Sequence, residues 1–514
     1  MQVTRKKIKD YIQTAKPSLL YLMSFLLGAI NALTMPPIGL FIILPITVSL
    51  FILITKSCAT RKAAFFNGWL FGAGYFIFSL YWISYALFVD IALWWWVLPL
   101  SLLVGPALFG IYWGFIPLLA WRYKKPSTAY AITFCVAWAL IEWIRGHALT
   151  GFPWNLSGYS WYRFPAINQL NSLVGIYGLT FITLLWAAIP AFKNRTLQIM
   201  LLVSFFVALS FGTHRLKFNP VSFYDDIGVR VVQPNIEQTA KWVPEEREKN
   251  LRKHLVLTSK ENVANYPIKF VVWPETATLY DLTSSNSALR VTSSALPKGS
   301  IGVFGSLNVE LNDKGEEQFF NSVSFVSSQG KIISTYNKHH LVPFGEYIPF
   351  RNYINLTPMA AGISAIGDFS RGTGIATMDL GKDLPKPSPL ICYEAIFPSA
   401  VASKQARPDW LLNVTNDAWY GNSAGPYQHF ENVRVRAIEE GLPLVRSANN
   451  GISGVIDPLG RVIDKQPLFA TGIIDSKLPK PLEATIYSKF GDGIFFIVSL
   501  LLIGACEISR RRYK

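Results

Sequence analysis

The sequence predicts a polytopic α-helical membrane bundle of about eight helices joined to a layered α/β domain, and three observations carry that prediction. The chain is 51% hydrophobic and only 16% charged, with a mean hydropathy of +0.29, whereas soluble domains are roughly a quarter charged. The deficit is uneven: up to Phe211 the chain is almost continuously apolar, while between Asn219 and Thr485 its composition is that of a soluble domain. Lys and Arg gather at the ends of the apolar runs, in alternate connections. The expected division is residues 1–215 for seven helices, 216–487 for the α/β domain, and 488–514 for an eighth helix with a basic tail.

A hydrocarbon core of about 30 Å takes roughly 20 residues of helix. The apolar runs that approach this length are 18–33, 38–55, 63–83, 91–121, 130–143, 167–191, 199–211 and 494–506. The fourth is long enough to tilt or to break near Pro99 or Gly105. Arg5, Lys6, Lys7 and Lys9 precede the first run; Lys56, Arg61 and Lys62 follow the second; Arg122, Lys124 and Lys125 follow the fourth; Lys193 and Arg195 follow the sixth; Arg510, Arg511 and Arg512 follow the last. Positively charged short loops stay in the cytoplasm, so both termini are expected there, in the inner membrane of a bacterium, with the α/β domain in the periplasm. The basic start of the first run also fits a signal peptide. An apolar run resumes at once and no small-residue cleavage site stands out, so an uncleaved helix is expected.

A net charge of +16 would suit nucleic acid. Here the basic residues border apolar runs, and the bilayer surface is the expected anionic partner. Four cysteines, Cys58, Cys135, Cys392 and Cys506, are too few and too scattered for a disulfide framework. No CxxC or HExxH string occurs and the six histidines are not at ligand spacings, so neither a metal nor another cofactor is expected. No coiled coil or self-association face is evident, which leaves a monomer as the expectation.

Between Asn219 and Thr485 short β-rich runs alternate with polar turns and helical stretches. Strands are expected at 228–233, 269–273, 301–306, 322–327, 331–336, 390–393, 410–414, 444–448 and 452–457, and helices at 245–264 and 428–440. Three residues in this part carry chemistry. Cys392, in ICYEAIFP, follows a short strand, and a thiol there is a strong nucleophile once deprotonated. Alone, it reads sooner as a buried structural cysteine. Glu275, in VVWPETA, stands at a strand end behind Trp273 and Pro274, where a partly desolvated carboxylate suits a general base. Pro-Glu-Thr is also a common helix opening. Lys338, in YNKHHLVPFGEY, offers an ammonium that can stabilise an oxyanion, or else a solvated loop charge. His339 and His340 beside it are expected as structural partners rather than as half of a Cys/His dyad.

Glu275, Lys338 and Cys392, in that order and each at a strand end, resemble the Glu-Lys-Cys triad of the nitrilase superfamily. NVTNDAWYG at 413–421 and the run 446–451 resemble segments that follow the cysteine there. That resemblance implies an αββα sandwich. With the flanking apolar runs and the strings YNKHHLVPFGEY, CYE and GFPWN (151–155), the whole chain resembles the bacterial apolipoprotein N-acyltransferase family. This implies that an acyl chain passes from a phospholipid, usually phosphatidylethanolamine, through a Cys392 thioester to the α-amino group of the S-diacylglyceryl cysteine of an apolipoprotein. It further implies Glu275 as base, Lys338 and the Tyr393 N–H as oxyanion donors, Glu346, Tyr393 and Glu394 in support, and Trp242 near the entrance. Trp419, Tyr420 and Trp154 are expected to line substrate. Arg145, His147 and Arg163 flank GFPWN on the outward side, and Arg145 is expected to meet the donor phosphate.

Two rivals share these features. A membrane-tethered amidohydrolase would pass the acyl group to water, but a bundle of many helices exceeds what one anchor requires. A transporter or receptor bundle with an inert domain would display ionisable residues along a solute pathway, and Glu142 is the main one in the apolar runs.

Overall fold

The computed structural model describes residues 7, 10–262, 265–349 and 368–512. Arg5, Lys6 and Lys9, and residues 263–264 of the expected helix 245–264, lie outside the described residues. The chain divides into two compact units. One comprises Met1–Asn219, Tyr420–Glu431 and Thr485–Lys514; the other comprises Pro220–Trp419 and Asn432–Ala484. The main helices are α1 (Pro17–Asn31), α2 (Leu44–Ser57), α3 (Arg61–Ser79), α4 (Gly105–Ala120), α5 (Ser127–His147), α6 (Asn171–Ala187), α7 (Arg195–Phe218), α8 (Arg247–Thr258), α9 (Asn286–Ser294), α10 (Gly425–Glu440) and α11 (Gly493–Arg511).

In the first unit every expected apolar run contains helix, but not every one has the length of a span. Five stretches are long and apolar enough to cross a membrane: Pro17–Thr34, Leu100–Tyr123, α5, α7 and α11. Arg61–Ser79 and Tyr81–Val97, bent by 48°, form a sixth if they act together, while Phe41–Ser57 and Asn171–Ala187 are shorter. The described residues thus carry five or six full-length spans against the eight expected. The shortfall lies in the two shorter helices, and Gly175, at φ 63°, interrupts α6; the expected run 91–121 starts as short turns and one π-helical stretch, Leu100–Val104, yet still supplies the full-length span Leu100–Tyr123.

Between helices in lipid there is little hydrophobic driving force, so association depends on how closely backbones approach. Glycines make that approach here. A Cβ on Gly72 of α3 would stand 2.8 Å from the Gly110 Cα of α4, and a Cβ on Gly110 would stand 2.5 Å from the Ala73 nitrogen. Gln428 closes the same unit with all of its amide capacity. Its oxygen accepts from the indoles of Trp82 (2.9 Å) and Trp154 (2.8 Å), and its nitrogen donates to the carbonyls of Pro36 and Ser79 (3.3 Å each).

The second unit holds two sheets. Six strands, β1 (Phe223–Gln233), β2 (Ile268–Val272), β3 (Ile301–Leu311), β4 (Glu317–Ser327), β5 (Ile332–Asn337) and β11 (Gly472–Pro479), lie in the order β11-β1-β2-β3-β4-β5. Five more, β6 (Pro387–Ile391), β7 (Trp410–Thr415), β8 (Leu444–Ala448), β9 (Ser453–Ile456) and β10 (Val462–Gln466), lie in the order β10-β9-β8-β7-β6. The centre of each sheet is parallel: β1, β2 and β3 in one, β6, β7 and β8 in the other. Such strands are apolar on both faces, and strand alternation divides their side chains between two cores. Val229, Val231, Phe270, Val272 and Val303 meet Ile391, Leu412, Val414 and Val445 between the sheets. Val232, Val271, Trp273 and Phe304 point the other way and pack with Leu251 and Leu257 of α8 and Ala288 of α9.

Strands β10 and β11 are additions to the expected set, and the expected strand 390–393 is corrected, since β6 ends at Ile391 and Cys392 opens a 3-10 turn, Cys392–Ile396. Gly110→Leu, which forces a side chain into the Ala73 backbone, is expected to destabilise the first unit by about 1–3 kcal/mol. Gly504→Leu on α11, where an added Cβ meets nothing within 4 Å, should be silent. Thermal unfolding of the two variants in detergent measures the difference.

Candidate functional site

Three strand ends of the second unit converge on one buried cluster. After β2, Trp273 is fully buried between the rings of Phe304 (4.3 Å) and His254 (4.8 Å), and its indole donates to Thr258 (2.8 Å). Pro274 follows and Glu275 turns inward. The turn needs space that β3 provides: a Cβ on Gly305 would lie 2.1 Å from the Pro274 oxygen. Thr276 follows at φ 44°, a left-handed conformation that costs a β-branched residue energy and is held by its surroundings.

The Glu275 carboxylate is 7% exposed and both oxygens are occupied. Oε1 accepts from Asn321 Nδ2 of β4 (2.8 Å) and Oε2 from the Asn416 N–H after β7 (2.9 Å). Lys338, just after β5, is 1% exposed, with Nζ 3.6 Å from Glu275 Oε1 and donating to Glu346 Oε1 at 2.9 Å. Its backbone is fixed on both sides, the N–H to the Asn321 carbonyl (2.9 Å) and the carbonyl to the Gly372 N–H (2.8 Å). Glu346 also accepts from Asn321 Nδ2 (2.9 Å) and from the Val342 N–H (2.8 Å). Burial alone would lower the lysine, but Glu346 and Glu275 outweigh it and hold Lys338 far above the usual lysine range.

Cys392 sits at φ 52°, so the chain makes a left-handed step as it leaves β6. Its thiol is pushed up to about 12, by burial first and by the Glu275 charge second, against the opposing pull of Lys338 and of a hydrogen bond with Thr415. The turn is tied down by Glu394, which is fully buried. Its carboxylate accepts from the N–H groups of Ile391 (2.8 Å), His339 (2.8 Å) and His340 (3.1 Å) and from the Tyr336 hydroxyl (3.0 Å). His339 Nδ1 stands 2.6 Å from the same carboxylate, and His340 stacks on Phe397 at 3.9 Å, so both histidines serve the frame. Glu394 thereby binds the cysteine turn to the lysine loop. Burial opposes its charge, yet His339 and the Ile391 N–H prevail and keep it below the ordinary carboxylate range.

The remaining expected residues are scattered. Tyr393 is buried beside Phe397 (5.0 Å), and Trp242 and Trp419 are partly exposed, at 37% and 39%. Tyr420 belongs to the first unit, its ring 4.7 Å from Trp82, and Trp154 is 1% exposed, packed on Phe152 and bonded to Gln428. Arg145 is 2% exposed and donates to the carbonyls of Phe152 (2.5 Å) and Trp154 (2.9 Å), so it braces the GFPWN loop. Four residues of the cluster have no counterpart among the expected ones: Asn321, Asn416, Gln238 and Lys241. Asn416 lies within NVTNDAWYG, and no local signal marks the other three. Among the described residues no group of three His, Cys, Asp or Glu side chains is placed to hold a metal ion.

Two face-to-face sheets with a Glu, Lys and Cys gathered at their strand ends define a nitrilase-type domain, here on a chain rich in apolar helices. The carbon-nitrogen hydrolase profile matches residues 228–487, and the apolipoprotein N-acyltransferase N-terminal domain matches residues 27–189. The apolipoprotein N-acyltransferase of Rhodopseudomonas palustris is 36% identical over 493 residues, 91% of each chain. That of Rickettsia prowazekii is 36% identical over 495 residues, 94% of this chain and 97% of the relative. A cysteine-to-alanine mutant of the Nesterenkonia AN1 amidase, from the nitrilase superfamily, is 16% identical and covers 54% of this chain and 99% of its own, with a TM-score of 0.37. The chain belongs to the apolipoprotein N-acyltransferase family.

Glu394→Gln keeps the shape of the brace but leaves one acceptor oxygen where the carboxylate has two, and sets an amide against the donors it served. A loss of about 2–3 kcal/mol is expected at neutral pH. Because the folded carboxyl lies below the ordinary 4.5, its contribution is complete above that value and is lost as the pH falls through the folded one. The gap between wild type and variant in denaturation midpoint should therefore close in acid.

Proposed function

We propose that the chain is an apolipoprotein N-acyltransferase that takes its acyl chain from the sn-1 ester of a phospholipid, phosphatidylethanolamine being the expected donor, and stores it on Cys392. The acceptor is the α-amino group of the S-diacylglyceryl cysteine of an apolipoprotein. The observation that carries the assignment of roles is the shared burial of Glu275, Lys338 and Cys392 in one cluster.

With its pKa near 12 the resting thiol is protonated, so Glu275 takes the proton as Sγ attacks the ester carbonyl. The Sγ–C bond forms, the negative charge moves to the carbonyl oxygen, and Lys338 and the Tyr393 N–H stabilise it. Collapse expels the lysophospholipid alkoxide, which recovers the proton from Glu275 and leaves a thioester. In the second half the amine attacks the thioester carbonyl and Glu275 takes the amine proton. The thiolate departs and is reprotonated. This is a ping-pong cycle with one base and one cation serving both halves.

Both substrates are anchored in a bilayer, and extracting an acyl chain costs about 0.8 kcal/mol per methylene, which suits an enzyme with membrane helices. Lys56, Arg61, Lys62, Arg122, Lys124, Lys125 and Arg510–Arg512 support an orientation with these ends in the cytoplasm and the nitrilase-type domain in the periplasm of an inner-membrane protein.

Intact-mass measurement after incubation with phospholipid tests the reading. An acyl adduct that maps to Cys392, vanishes in Cys392→Ala and discharges onto a diacylglyceryl peptide is expected. Turnover to free fatty acid without an amine acceptor would replace transfer with hydrolysis.

A further inference from the structure

Lys241 is a buried cation that the proposed chemistry does not use. It is 5% exposed, it lies on the short helix Gln238–Lys241, and its ammonium donates to the Glu275 backbone carbonyl at 2.8 Å. A neutral carbonyl offsets little of the cost of desolvating an ammonium, whereas a methionine of similar length would fill the space without that cost. One turn earlier, Gln238 Oε1 accepts from Asn416 Nδ2 at 2.7 Å, and the Asn416 N–H is the donor to Glu275 Oε2 at 2.9 Å. The Asn416 side chain is fixed from its other end by Asn449 Nδ2, at 3.0 Å. One helical turn therefore grips Glu275 twice, at the peptide that precedes the left-handed Thr276 and, through Asn416, at the carboxylate.

We propose that Lys241 is a positioning residue for Glu275, holding the Glu275–Thr276 peptide so that the carboxylate stays aimed at the Cys392 thiol. The inference rests on the reading of Glu275 as base. A side chain without this bond would let the Thr276 strain relax by rotating the peptide, and the carboxylate would turn with it. The charge matters as well as the bond, because Lys241 interacts with both Glu275 and Cys392. The groups that face it are Glu275 after β2, Cys392 after β6, and Arg247 and His254 of α8, which line the same small cavity.

Burial brings Lys241 down to about 8, so it loses its proton in an accessible range, while Lys338 stays above that range and Cys392 at about 12. The test is single-turnover acylation of the full-length protein by phosphatidylethanolamine in mixed micelles, read as the mass adduct on Cys392 between about pH 6 and 9.5. In the wild type the rate should fall as the pH passes about 8. Lys241→Met should be about 10–100-fold slower at pH 7, with half-saturation by phospholipid unchanged, and should lack that alkaline limb. Lys241→Arg, whose guanidinium does not titrate, should be faster than Lys241→Met and also lack the limb. Wild-type rates in Lys241→Met, or an alkaline limb that persists in it, would overturn the proposal. Should Lys241→Met fail to accumulate, the wild-type limb and its disappearance in Lys241→Arg decide the matter. A wild-type protein that never acquires an acyl group on Cys392 would overturn the reading of the site and this inference with it.

Discussion

The placement of Lys338 between two carboxylates governs the rest of the second unit. An ammonium that is 1% exposed survives only where opposite charge and hydrogen bonds replace water, and Glu346 at 2.9 Å with Glu275 at 3.6 Å supply them. Each of the two carboxylates needs partners beyond Lys338. Asn321 serves both, its Nδ2 lying 2.8 Å from Glu275 and 2.9 Å from Glu346. The Cys392 thiol beside them is raised by its own burial first and by the Glu275 charge second, against the pull of Lys338, and so rests protonated.

Such a cluster has to be held by rigid parts, since about 1 Å of misplacement can cost on the order of 100-fold in rate. Glu275, Lys338 and Cys392 hang from strand ends, and left-handed steps at Thr276 and Cys392 shape two of those turns. Strain at these steps is sustained by specific contacts. Glu394 braces the cysteine turn against the lysine loop, and Gly305 admits the Glu275 turn over β3. The brace uses a buried carboxylate, so the frame and the reactive cluster both depend on charges that have been withdrawn from water and fully bonded.

How much of this is legible in the sequence differs by type of interaction. The parallel strands are legible because both faces are buried, as in FVVW at 270–273 and WLLNV at 410–414, and so are the strand-end positions of Glu275 and Lys338. Strand β11 is not, because its inward positions Gly472, Ile474, Ser476 and Leu478 include only two large apolar residues, and β10 is largely exposed. The turn at Cys392 is hidden by the apolar residues on both sides of it. Polar partnerships are the least legible of all. Gln238, Lys241, Asn321 and Asn416 act on Glu275 across separations of 34 to 141 residues for the direct bonds, and nothing local distinguishes the first three from solvated side chains. Arg145 is legible in its position near GFPWN, whereas its bonds to the Phe152 and Trp154 carbonyls depend on a fold of the loop that spacing does not reveal.

The charge count of the cluster explains why one arrangement can serve two different reactions. Before attack it holds the Lys338 and Lys241 ammoniums and the Glu275 and Glu346 carboxylates, with a neutral thiol. In the proposed cycle, proton transfer to Glu275 removes one carboxylate charge as the same charge appears on sulfur and then on the carbonyl oxygen. The total inside the cavity stays constant through ester attack, thioester formation and aminolysis. In a low-dielectric site, creating a charge is far costlier than moving one across a few ångströms between groups already facing the same ammonium. The amine of the second half-reaction gives up its proton to the same carboxylate. In that proposed cycle the two halves differ in the atom that carries the charge, and Lys338, held by Glu346, is the fixed point for both.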